Sequence, residues 1–195
     1  MNPHFIFNCM NSIQAMILSN QNMEASLYLT KLSRLVRAVL ENSIKTFVPL
    51  QEVIEKLKLY LELESLRFDQ KFIYDIQIKD IDTYSVEMPA MLIQPYVENS
   101  IWHGLLKKEG DKNIFLRFYK KNNMLVCEIE DNGIGRAKAA ELNLKKQHKS
   151  LGTIITQEMF ETLHKIKDTN YRVETIDLHD ENHQPSGTKV VVEIE

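Results

Sequence analysis

The sequence predicts an α+β protein in two parts, a helical hairpin or bundle over residues 1–68 and an α/β sandwich over residues 69–195. Three observations predict it. Apolar residues recur at helical spacing early in the chain, with Ile6, Met10, Ile13 and Ile17 as the clearest series. From Phe72 the pattern changes to alternation, as in Phe72-Ile73-Tyr74-Asp75-Ile76-Gln77-Ile78. The alternating run Met124 to Glu130 then leads straight into Asp131-Asn132-Gly133-Ile134-Gly135, a strand end punctuated by an acid and two glycines.

Asn2 and Pro3 are a good cap and first-turn residue for a helix carrying the Ile6 series, flanked by Phe5, Cys9 and Met16. His4, Asn8 and Asn11 share its polar strip. After the turn Ser19-Asn20-Gln21-Asn22, a second helix from about Met23 to Ser43 presents Tyr28, Leu32, Leu35 and Val39, widened by Leu29, Val36 and Leu40. Each apolar face is too wide for one partner helix, which predicts a four-helix bundle completed by a second copy. Pro49 is expected to open a third helix reaching about Phe68. Its apolar residues point in several directions, so it reads either as a helix between the bundle and the second domain or as a long core helix. Strands are expected at Phe72 to Ile78 and at Tyr84 to Met88, then a helix from about Met91 to Leu105. A hairpin of Ile114 to Tyr119 with Met124 to Glu130 turns at Asn122-Asn123. The polar stretch Arg136 to Lys149 has no apolar anchor and reads as a mobile lid. A helix from about Leu151 to Lys165 and strands at Tyr171 to Ile176 and Lys189 to Ile194 close a mostly antiparallel sheet with helices on one face.

The chain is 44% hydrophobic and 26% charged with a net charge of −3, which suits a soluble globular protein and argues against direct nucleic-acid binding. Cys9 and Cys127 lie in apolar runs without metal-ligand spacing and read as reduced, buried thiols. No stretch approaches the ~18–20 apolar residues of a membrane span, and no signal peptide is present. The chain opens directly inside a motif, from which a sensor or membrane region is expected to precede it in the parent protein.

The acid at the end of the strand can accept a hydrogen bond from a ligand amine, and glycines at 133 and 135 let ligand or backbone come close and permit positive φ. A plain strand-exit turn is the competing reading of Asp131, Gly133 and Gly135. Asn99 sits mid-helix beside the buried series Ile93, Val97 and Ile101, where a polar side chain needs a partner; the alternative is a surface or cap residue. Glu98 is either a second contact of this kind or a helix-surface charge. Thr188, in Gly187-Thr188-Lys189-Val190, is either pocket support or an ordinary strand threonine. The four boxes Asn2-Pro3-His4-Phe5-Ile6-Phe7-Asn8, Gln94-Pro95-Tyr96-Val97-Glu98-Asn99-Ser100, Asp131-Asn132-Gly133-Ile134-Gly135 and Gly187-Thr188, in that order, resemble the catalytic half of LytS/YehU-type sensor histidine kinases.

The resemblance implies a dimerising phosphoacceptor hairpin followed by an ATP-binding sandwich of the GHKL (Bergerat) type, in a protein-histidine kinase of a two-component system. His4 is the implied phosphoacceptor, with Asn8 one turn on either holding the imidazole, positioning a water for dephosphorylation, or merely solvated. An unperturbed imidazole stays neutral and nucleophilic at cytosolic pH. Asp131 is the implied adenine contact, with Gly133, Gly135 and Thr188 around it, and Asn99 the implied Mg²⁺ ligand. Where ATP-hydrolysing relatives of this nucleotide fold carry a glutamate base, four residues before the asparagine, this chain has Pro95, which leans toward transfer to a protein nucleophile. Trp102 stands where most related kinases carry a basic residue. His103 follows it and joins the expected nucleotide contacts, with Lys145, Lys146 and Lys149 available to neutralise phosphate and Gly152 at the start of a helix whose amides can bind it. Phe5 replaces the acid that often follows the acceptor histidine, so no base is assigned. The implied reaction is ATP-dependent phosphorylation of His4 and transfer to an aspartate in the receiver domain of a response regulator, in a homodimer on the cytoplasmic side of a bacterial inner membrane. Two alternatives remain: a non-catalytic ATP-binding relay, and a stand-alone ATPase.

Overall fold

The computed structural model describes residues 3–42, 45–67, 72–143 and 170–195. The chain divides into two compact units. One comprises Met1–Lys71 with Thr83–Ala90, the other Phe72–Asp82 with Met91–Glu195. Residues 83–90, grouped by sequence with the second domain, thus return to the first unit.

The first unit is built on three helices: α1 (Pro3–Leu18), α2 (Asn22–Asn42) and α3 (Leu50–Arg67). The buried stripe of α1 is Phe5, Cys9 and Ile13, whereas Met10 and Ile17 of the expected series are about half exposed, at 50% and 52%. The helix is apolar around more than half its circumference, and spacing alone does not choose which stripe turns inward. α3 packs directly on the hairpin. Its Tyr60 ring meets Phe5 of α1 at 5.0 Å between centroids. The single hydroxyl proton of Tyr28 of α2 is shared between two acceptors, the Leu63 carbonyl at 3.2 Å and Cys9 Sγ at 3.4 Å. A Lys31–Glu62 ion pair at 2.7 Å joins α2 to α3 on the surface. Much of the cover expected from a second copy therefore comes from α3 of the same chain.

Pro49 ends a short strand, β1 (Phe47–Pro49), and the third helix begins one residue later. β1 pairs antiparallel with β3 (Glu87–Pro89), so the expected strand at Tyr84 to Met88 is shorter, later, and part of this two-stranded ribbon. The ribbon has a clear use. The first amides of α3 lack partners inside the helix; Leu50 N–H donates to the Val86 carbonyl at 2.8 Å and Gln51 N–H to Thr83 at 2.9 Å. Two charged side chains are fully enclosed here. Lys56 reaches the Ala90 carbonyl at 2.6 Å. Glu64 takes hydrogen bonds from Arg67 Nε at 2.8 Å and from the Tyr60 hydroxyl at 3.2 Å.

The second unit is the expected sandwich. Its sheet has the order β2-β4-β5-β7-β6, with β2 (Ile73–Lys79), β4 (Asn113–Lys121), β5 (Met124–Asp131), β6 (Tyr171–His179) and β7 (Pro185–Ile194). Among the described strands the β2–β4 pair is parallel and the others are antiparallel. The β4–β5 hairpin turns at Asn122 and Asn123 with φ of 48° and 66°, the left-handed region that asparagine tolerates. Alternation puts Ile114, Leu116 and Phe118 of β4, Cys127 and Ile129 of β5 and Val190, Val192 and Ile194 of β7 into the core. The other face carries a charge ladder in which Arg117 bonds Glu130 at 2.7 Å and Lys189 bonds Glu128 at 2.9 Å. The helix expected from Met91 is α4 (Gln94–Asn99), continued by a π-helical turn at Ser100–Gly104 and a 3₁₀ turn at Leu105–Lys107. Ile93, Val97, Ile101 and Leu105 are its buried side. The start of the expected lid is ordered as a helix, α5 (Arg136–Asn143), in which Ala139 is buried. The rest of that segment, and the helix expected from Leu151 to Lys165, lie outside the described residues.

Candidate functional site

Strand β5 ends on Asp131, which is 3% exposed despite its charge. Three hydrogen bonds accompany that burial: Oδ1 accepts the Gly133 backbone N–H at 2.8 Å, and the Ser100 hydroxyl and the Thr188 backbone also contribute. Burial pushes the carboxyl up to about 6, while those bonds and the charge of Lys108 keep it from rising further. The turn that follows is fixed by close backbone contact. A Cβ on Gly133 would stand 2.5 Å from both Cα and C of Gly104, and one on Gly104 would stand 2.8 Å from Asp131 Oδ1. So Gly133 is required by a backbone crossing rather than by ligand approach or positive φ. Gly135 does use positive φ, at 74°, and a Cβ there would strike Pro185. The π-helical turn supports the same crossing: it brings the Gly104 carbonyl to the Ile134 N–H at 3.4 Å.

Around Asp131 lies a cleft of about 290 Å³. Its walls bring together Asn99, His103, Asp131, Gly135 and Thr188 from the expected set, with Tyr96, Ser100, Gly104, Arg136, Ala139, Ala140, Thr175 and Val190. β5–β7 pairing sets Thr188 directly opposite Asp131. Asn99 is half-buried at the junction of α4 and the π turn. Desolvation by its surroundings and then the charge of Lys107 hold His103 below its ordinary value. Glu98 accepts a hydrogen bond from Gln94 at 2.8 Å and does not line the cleft. Gly133 borders a second, wider cleft of about 600 Å³ with Lys107, Lys108 and Lys138; Glu109 and Asp180 in the same wall offset most of that charge.

α1 starts at Pro3, so His4 is in its first turn, but its side chain is outside the described residues. Asn8 is half-buried, and its carbonyl accepts the Ser12 hydroxyl at 3.1 Å. Lys145, Lys146, Lys149 and Gly152 lie outside the described residues. Reasoning from sequence passed over Ser100 and Gly104, although both stand in the asparagine box and its immediate continuation. It also passed over Arg136 as an individual residue, for which a polar run held no distinguishing signal. Among the described residues no group of three or more His, Cys, Asp or Glu side chains is placed to hold a metal ion.

A mixed five-stranded sheet, helices on one face and a buried acid over a glycine turn define a histidine-kinase catalytic-domain fold. Two solved structures share it: the histidine kinase domain of the Erythrobacter litoralis EL346 blue-light activated histidine kinase, 17% identical, covering 99% of this chain and 95% of that one with a TM-score of 0.51, and the catalytic domain of histidine kinase ThkA, 15% identical, covering 76% and 94% with a TM-score of 0.52. Residues 1–72 match the family profile described as Histidine kinase. The sequence is 30% identical over 145 residues to Sensor protein LytS of Enterococcus faecalis, covering 74% of this chain and 24% of that protein. It is 33% identical over 131 residues to Sensor histidine kinase BtsS of Escherichia coli K12, covering 67% and 23%. The chain belongs to the histidine kinase family, as a relative of the LytS-type sensors. It spans about a quarter of the length of these curated relatives.

Proposed function

We propose that the chain is the kinase core of a two-component sensor. It takes ATP into the Asp131 cleft, transfers the γ-phosphoryl group to His4, and passes it to an aspartate of a response-regulator receiver domain. The observation that carries the reading is the buried, hydrogen-bonded Asp131 carboxylate facing a cleft walled by Ala139, Ala140, Thr175 and Val190. That combination suits a flat ring bearing an exocyclic amine, as adenine does. A neutral imidazole nitrogen of His4 attacks the γ-phosphorus, the bond to the β–γ bridging oxygen breaks, and ADP leaves. Such transfers depend on alignment and charge neutralisation more than on covalent help from the protein.

Mg²⁺ fits this donor set in one way. Among the described residues the cleft offers the Asn99 carboxamide rather than a cage of carboxylates, which suits an ion held chiefly by nucleotide phosphates and water. When bound, the ion would neutralise phosphate charge, and Asn99 would be the side chain that holds it. A homodimer is part of the reading, because Phe7, Met10, Ile17 and Leu18 of α1 and Met23 and Leu27 of α2 are large, apolar and exposed in the single chain.

The test is incubation with γ-labelled ATP and Mg²⁺. Acid-labile, base-stable label that disappears in His4→Gln is expected. One observation favours a second reading, a nucleotide-binding relay without phosphorylation. Phe5, at the position where many histidine kinases carry the acceptor's proton partner, is buried in the helical core. Nucleotide binding by a dimer that never acquires label would select that reading. Steady phosphate release surviving His4→Gln would select hydrolysis instead.

A further inference from the structure

We propose that the Arg136–Asp177 pair is a positioning clamp that sets the width of the nucleotide cleft, and thereby its grip on a purine ring. The proposal rests on the nucleotide reading of that cleft. Arg136 is the first residue of α5 and Asp177 lies on β6, 41 positions away. The guanidinium meets the carboxylate side-on through two bonds, Nε to Oδ1 and Nη2 to Oδ2, both 2.7 Å.

Three facts make this more than a surface ion pair. Among the described side chains of α5, Ala139 is the buried one, so little apolar burial holds this part of the helix in place. Gly135, immediately before it, is in the left-handed region, so the entry to the helix is a bend that an added anchor must fix. Both elements joined by the pair line the cleft: α5 through Ala139 and Ala140, and β6 through Thr175, two residues from Asp177 and so on the same face of the strand. The pair therefore spans the two sides of one slot. The slot's small side chains present a flat wall, suited to a planar ring.

The two side chains are 55% and 43% exposed. A pair this exposed contributes little to global stability, so removing it separates affinity from folding. The experiment uses the full chain with Mg²⁺ and compares wild type with Arg136→Ala, Asp177→Ala, the double alanine variant and the reversed pair Arg136→Asp/Asp177→Arg. ATP affinity is read by calorimetry and the melting temperature by circular dichroism. The expected result is a loss of up to about five-fold in ATP affinity in each single variant. The double variant should be no worse than either single, the reversed pair should recover, and melting should stay within about two degrees throughout. Unchanged affinity in both singles overturns the clamp. So does a loss that multiplies in the double variant, or one that the reversed pair fails to restore. A folded wild type that binds no ATP overturns the nucleotide reading itself, and the clamp with it.

Discussion

Asp131 has two pH dependences of opposite sign. Its folded pKa of about 6 lies above the ordinary 3.8, so the folded chain holds this proton more tightly than the unfolded one. Stability from this residue is therefore fully present below about pH 4 and is lost as pH rises through the window to 6, in total about 3 kcal/mol. Asp131→Asn should flatten that part of the profile in urea unfolding between pH 4 and pH 7. Binding runs the other way, because the ionised acid is the stronger acceptor for an adenine amine: ATP affinity should fall by up to about tenfold between pH 7 and pH 5, and Asp131→Asn should remove the slope. Gly133→Ala gives a second prediction. With Gly104 backbone 2.5 Å from the new Cβ, the turn must shift, at a cost of about 1–3 kcal/mol, seen as a lower melting temperature together with weaker ATP binding. The acid and both glycines were legible in the sequence. The reason for Gly133 was not, because the backbone that crosses it belongs to Gly104 in the π-helical turn, 29 positions upstream, and no local pattern reports a backbone crossing. Arg136 was equally hidden: its partner is 41 positions away in sequence.

Among the elements, those with a strong period were read best. The β4–β5 hairpin, with its Asn-Asn turn, and the core strand β7 show a clear alternation, and their local chemistry agrees with their tertiary role. α3 was misread at its start and in its surroundings. A proline suits a helix's first turn and also the end of a short strand, and the choice was made by residues 83–89, which pair with β1 and accept the first amides of α3. The buried charges of α3 carry a prediction of their own. Arg67→Ala would leave the fully enclosed Glu64 without its Arg67 ion pair. A loss of about 3–5 kcal/mol is expected, measured by urea unfolding of the helical unit. Replacing both residues together by apolar side chains should recover much of it.

At the scale of the whole molecule, the stripe from Phe7 to Leu18 on α1 with Met23 and Leu27 on α2 is the surface to test for self-association. Met10→Glu combined with Ile17→Glu should give a monomer by light scattering while leaving ATP affinity intact. The sequence had the apolar width of these helices but not its division between α3 and the outside, because that depends on which helix reaches the groove first. The division of the chain also has a consequence for synthesis. The polypeptide leaves the first unit at Lys71 and comes back to it from Thr83 to Ala90. Until Ala90 has emerged from the ribosome, the Lys56 ammonium has no Ala90 carbonyl to meet, Leu50 and Gln51 lack their acceptors, and β1 is an open edge. The amino-terminal unit must therefore wait, incomplete, while the first strand of its neighbour is translated, and a nascent chain exposed outside the ribosome only as far as about residue 72 should remain protease-sensitive where one exposed past residue 90 does not.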